Sequence, residues 1–109
     1  MKVDRIQDEH LRDSLKAAHA ALRAGDHRDV VQRAGEAYIE LLRRKPELLQ
    51  GPGLLPQMRI WMFPRLGAHL ETDSDGKPAA VAFDRETFAF TEAVTYYEFA
   101  VDNLVREGI

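Results

Sequence analysis

Four histidines, eighteen carboxylates and two serines are the side chains of this sequence best suited to chemistry, and their spacing decides what they could do. Two histidines share a helix face and hold a metal when they stand four apart, as in HxxxH or HExxH. His10, His19, His27 and His69 never do. His10 and His19 lie nine positions apart, about 900° of helical rotation, which puts them on opposite sides of one helix. No glutamate has a histidine three residues later, so the Glu-x-x-His pattern of a carboxylate-bridged di-iron bundle is missing. The expectation is no metal and no cofactor. Glu71, Asp73 and Asp75 followed by Gly76 look like the first half of an EF-hand loop. The position that should supply a bidentate glutamate is Ala82, however, and Asp-Gly is also an ordinary turn signal.

Nucleophilic chemistry finds little footing. The chain has no cysteine, and neither Ser14 nor Ser74 sits in Gly-x-Ser-x-Gly. Gly51-Pro52-Gly53 lacks the lysine and hydroxyl residue of a phosphate-binding loop. Acid–base or ligand-binding groups would come from Arg59, His69, Glu92, Tyr96 and Glu98. Glu92 and Tyr96 are i,i+4 neighbours on one helix edge.

Positioning these groups falls to amphipathic helices. With 109 residues the chain is read as one domain, 1–109, and a 45% apolar share is enough for one core. Leu11, Leu15, Ala18 and Leu22 stripe a first helix from about Asp4 to Ala24, closed by Gly25. Asp26 fits the N-cap of a second helix to about Lys45, with Val30, Ala34, Tyr38 and Leu41 inward, ended by Pro46. Leu55, Met58, Met62, Leu66 and Leu70 predict a third helix, kinked at Pro64. A strand at 66–70, paired with Val81 and Phe83 across the Asp-Gly turn, is the rival, and helix is preferred. Phe90, Val94, Tyr97, Val101 and Leu104 define a last helix, either with Asp84 as its N-cap and Phe83 and Phe88 as a hydrophobic staple, or in a shorter version capped by Thr87 or Thr91. The fold expected is mainly α: a four-helix, up-down, bundle-like domain, with a short β-hairpin near 66–83 kept open.

The Gly25-Asp26-His27 turn, with Ala18 before it and Val30, Ala34 and Ala37 after it, is similar to one tetratricopeptide-like hairpin. Only one such unit is present, and a solenoid needs about three repeats. Gly25 through Leu42 also resembles the early hairpin of the small prokaryotic HEPN group of nucleotide-binding or ribonuclease-like helical bundles. That resemblance implies an Arg-x4–6-His motif late in the chain. Here Arg65 and His69 have three residues between them, so the likeness implies fold more than activity.

Charge and aromatics are unevenly spread. Residues 1–55 are net +1 and residues 56–109 net −4, so no nucleic-acid footprint is expected, and Arg43-Arg44-Lys45 reads as dipole complementation at a helix end. The stretch MKVDRIQDEH lacks the apolar region of a secretory signal, and no run reaches the roughly 20 residues of a membrane span. A cytoplasmic location is expected, with no membrane partner. Eight of nine aromatics lie between Trp61 and Phe99. Ile60 to Phe63 and Tyr96 to Phe99 hold more large apolar side chains than one stripe per helix needs. The surplus thickens the core, lines a pocket or covers a partner. The function expected is a small non-catalytic interaction module that forms a homodimer or binds a protein partner. Its surface would draw on Arg59, Trp61, Phe63, His69, Glu92, Tyr96 and Phe99. The alternative is a small-molecule-binding or hydrolytic bundle of the HEPN-like ribonuclease type.

Overall fold

The computed structural model describes residues 1–49 and 62–109. Expectations that fall on Gly51-Pro52-Gly53, Leu55, Met58, Arg59, Ile60 and Trp61 lie outside the described residues. The fold is a helical bundle with one two-stranded antiparallel sheet. Its long helices are α1 (Glu9–Ala24), α2 (His27–Arg44) and α3 (Phe90–Arg106), and a further helical turn occupies 62–66. No described helix is long and apolar enough to cross a membrane.

The first hairpin follows the sequence closely. Leu11, Leu15, Ala18 and Leu22 are the buried residues of α1. Gly25 ends it in the left-handed region at φ 81°, where a missing Cβ removes the steric cost. The Asp26 carboxylate accepts the Asp29 N–H at 3.2 Å and starts α2. The first helix begins later than the expected Asp4. Asp8 is its cap, accepting the Leu11 N–H at 2.9 Å, while Lys2–Arg5 form a separate 3-10 turn. That turn and the link after it tuck Val3 and Ile6 into the core. The C-terminal end meets the same place, because the Ile109 carbonyl accepts the Asp8 N–H at 2.7 Å.

The centre of the molecule is α2. Its buried residues run from Val30 and Val31 through Gly35 and Tyr38 to Leu42, far more than one stripe. It needs them because it packs on α1, on α3 and on the sheet. Gly35 allows the third contact: a Cβ built there would meet Val81 Cβ at 3.4 Å and the Phe83 ring at 3.7 Å.

The helix preferred through Leu70 stops at residue 66. Gly67 takes φ 63°, and the chain turns into β1 (Ala68–Thr72). β1 pairs with β2 (Pro78–Phe83) in the register Ala68↔Phe83 to Glu71↔Ala80, with a bulge beyond. From Ala68 on, the strand alternation of Ala68 and Leu70 therefore wins over the helical spacing that Leu66 still follows, since a left-handed glycine ends the helix first. Asp73 closes the hairpin, its Oδ1 accepting the N–H groups of Asp75 and Lys77 at 2.9 and 3.0 Å. The acid-rich segment is thus an Asx-type turn built around Asp73 and Gly76.

The last helix also starts later than expected. Asp84 is still held by the ladder, its N–H donating to the Gly67 carbonyl at 2.7 Å. The α3 start belongs instead to Glu92, whose Oε1 accepts the Ala89 N–H at 2.8 Å. Phe90, expected in the core stripe, is 54% exposed; it lies at the first turn with the His27 ring edge-on to it, centroids 5.9 Å apart. Val94 is partly buried, and Ala93, Tyr96, Ala100 and Leu104 form the inner face with Tyr97 and Val101.

Candidate functional site

The aromatic surplus goes inward. Phe63 stands 5.5 Å from Tyr38 and 6.4 Å from Tyr96, and Phe99 stacks on Tyr96 at 6.4 Å. Phe83 and Phe88 extend the cluster towards the sheet. Phe63, Tyr96 and Phe99 are all buried, so they offer a partner no surface. The Tyr96 hydroxyl has no hydrogen-bond partner among the described residues. Burial, and then the neighbouring Tyr38, push its pKa far above the ordinary tyrosine range.

The polar candidates are dispersed. Glu92 does not converge with Tyr96 on a ligand, because its second oxygen pairs with the Arg85 guanidinium at the mouth of α3. Partial burial works to raise the Glu92 pKa, but the Ala89 N–H and Arg85 outweigh it and hold it below the usual value. A cavity of about 210 Å³ beside Glu92, lined by Met62, Leu66 and Thr95, is smaller than sites that hold drug-sized ligands. His69 is exposed on β1 with Nδ1 3.7 Å from Asp84, and Arg65 belongs to the preceding helical turn. Among the described residues, no three histidine or carboxylate side chains gather closely enough to hold a metal ion.

A larger concavity lies elsewhere, a trough of about 840 Å³ alongside β2. Gln32, Glu36, Ile39 and Arg43 of α2 line it from below, and His10 and Ser14 of α1 form the far wall. The near wall is Ala79 to Phe83, five consecutive residues. Side chains of a strand alternate between faces, so a run of consecutive lining residues means that the strand presents its edge.

The ladder fixes which backbone groups that edge offers. In antiparallel pairs, bonded and non-bonded positions alternate. The bond from Asp84 to Gly67 makes 67/84 a bonded pair, and therefore also 69/82 and 71/80. The N–H and C=O groups of Val81 and Phe83 consequently point away from β1, into the trough. Neither N–H has a backbone partner among the described residues. Edges are commonly blunted by lysine, proline or inward charge. Here the open stretch is Ala80-Val81-Ala82-Phe83, without a charge, and only the far end carries Pro78 and the bulge.

In the sequence Val81 and Phe83 belong only to the rival hairpin, Phe83 also to a hydrophobic staple, and neither is a candidate site residue. The usable signal was Gly35, an unexplained glycine inside a strong helix that marks where another backbone approaches. Comparison of the chain with protein-family models, with curated proteins and with solved structures finds no match.

Proposed function

We propose that this chain is a non-catalytic interaction module that binds an extended polypeptide segment in the trough, by adding a strand to β2. The observation that carries this reading is the open β2 edge, with the outward backbone groups of Val81 and Phe83 facing a concavity long enough for a strand. Main-chain bonds along such an edge give affinity, and the trough floor gives selectivity. Self-association through Tyr96 and Phe99 loses its basis, because both are committed to the core.

The test is a selection of linear peptides on the immobilised protein, followed by amide-shift mapping of the winners. Shifts centred on Val81 and Phe83 support the reading. Winners that shift only the α3 or α1 amides, or no winners, overturn it.

A further inference from the structure

Resting on that reading, the charges of the trough specify its occupant: we infer that it takes a peptide running antiparallel to β2, with a basic side chain over Glu36 and an acidic one near Arg43. His27 Nδ1–H donates to the Phe88 carbonyl at 2.8 Å, so the segment after β2 reaches the start of α2. Val81 and Phe83 lie over Gly35, in the middle of that helix. β2 therefore runs against α2, with its Pro78 end towards Arg43. A new strand antiparallel to β2, the more stable pairing, enters beside Arg28 and leaves beside Arg43.

Half of the carboxylates and arginines that line the trough are already paired. Arg44 pairs with Asp8 and Glu40, and Arg85 with Glu92. Arg28, Glu36, Arg43 and Glu86 have no ion pair among the described residues. Arg28 and Glu86 sit at the entry end and offset each other in net charge. Glu36 in the middle and Arg43 at the exit also carry opposite signs, but they stand seven positions, about two helical turns, apart on α2, so each presents its sign separately.

Spacing follows from the two repeats. A peptide residue opposite Val81 points towards α2, as Val81 itself does, and so lies over Gly35 and Glu36. From Gly35 to Arg43 the helix rises about 12 Å at 1.5 Å per residue. A strand covers that in about three to four residues at roughly 3.4 Å each, and four returns the side chain to the same face. The residue opposite Phe83, two before the basic one, faces Gln32 and the Phe88 ring and is best apolar. The motif is apolar, any, basic, three of any type, then acidic.

Two acetylated seven-residue probes test this: Val-Thr-Lys-Thr-Val-Thr-Glu, and its charge-reversed counterpart Val-Thr-Glu-Thr-Val-Thr-Lys. Both are titrated by NMR into the full chain. The first should bind more tightly and shift the Val81 and Phe83 amides. Glu36→Lys should weaken it about five-fold, since an exposed attraction becomes a repulsion. Glu36→Lys with Arg43→Glu should invert the preference between the probes. Both substitutions are on exposed helix positions, and the unchanged amide spectrum outside the trough verifies folding. Equal affinity of both probes for wild type, or a preference that the double variant fails to invert, overturns the charge pattern. Strand addition itself stands in that event if selected peptides still shift Val81 and Phe83, and falls if they do not.

Discussion

Gly35→Ala probes the seat of the hairpin on α2 directly. The position is helical, and replacing glycine by alanine inside a helix contributes about 1 kcal/mol in favour of folding. The new methyl would meet Val81 Cβ at 3.4 Å and the Phe83 ring at 3.7 Å, at the near edge of ordinary contact. Burying it adds at most about 0.8 kcal/mol, reduced by the small shift its nearest neighbour must make. The sum is a net stabilisation of about 1 kcal/mol, which raises Tm by roughly 4 °C for a chain of this size. Gly35→Leu reverses the sign. Three further carbons have no room beneath Val81, and overpacking of this kind costs about 1–3 kcal/mol. Thermal melts give the first number, and amide exchange locates the second, with β1 and β2 losing protection while α1 keeps it. A Gly35→Ala variant that melts several degrees lower, or a Gly35→Leu variant with unchanged hairpin protection, refutes the close seating of β2 on α2.

Three further perturbations separate interior from surface. Tyr96→Phe removes a buried hydroxyl with no partner among the described residues, so chemical denaturation should show equal or higher stability, by up to about 1 kcal/mol. Phe90→Ala should change stability by under about 0.5 kcal/mol because the ring is half exposed, whereas Tyr97→Ala should cost about 3 kcal/mol; paired denaturation curves check both. The Asp8 carboxyl is held below its ordinary 3.8, first by the Leu11 N–H and then by Arg44. A pKa depressed by folding gives stability above the unfolded value that is lost as pH falls through the folded one. Melts below about pH 4 should therefore fall less steeply in Asp8→Asn than in wild type, while Asp8→Ala also loses the cap, about 1 kcal/mol at neutral pH.

The parts legible in the sequence are those fixed by local periodicity and capping. The stripe of Leu11 to Leu22, the Gly25 stop and the Asp26 cap need only one helix and its ends, and all appear as read. The hairpin was harder, because Leu66, Ala68 and Leu70 satisfy two periods at once; the choice was made by the left-handed Gly67 and the Asp73 turn. Aromatic content was easy to count but not to place. Tyr96 and Phe99 look surplus on one helical wheel, yet α3 sees both α2 and the segment around Phe63. The trough was invisible because its near wall is backbone. A strand edge carries no residue signature, and only the pairing register shows which of its groups are unspent.

The link between His27 and Phe88 has a kinetic meaning. The α1–α2 pair closes through a two-residue turn, and β1 meets β2 across Asp73–Lys77, so both units form from local contacts. Low sequence separation of this kind favours early assembly. The hydrogen bond that ties position 27 to position 88 spans 61 residues, so its loop-closure cost is lowest once both units have formed. Floor and near wall of the trough therefore belong to different folding units, joined late. Units assembled in that order open in reverse, the smaller one at lower free-energy cost. The edge that receives a strand is carried by the unit with the least to lose on opening, and a bound strand, by tying that edge to the floor, would make the two exchange as one.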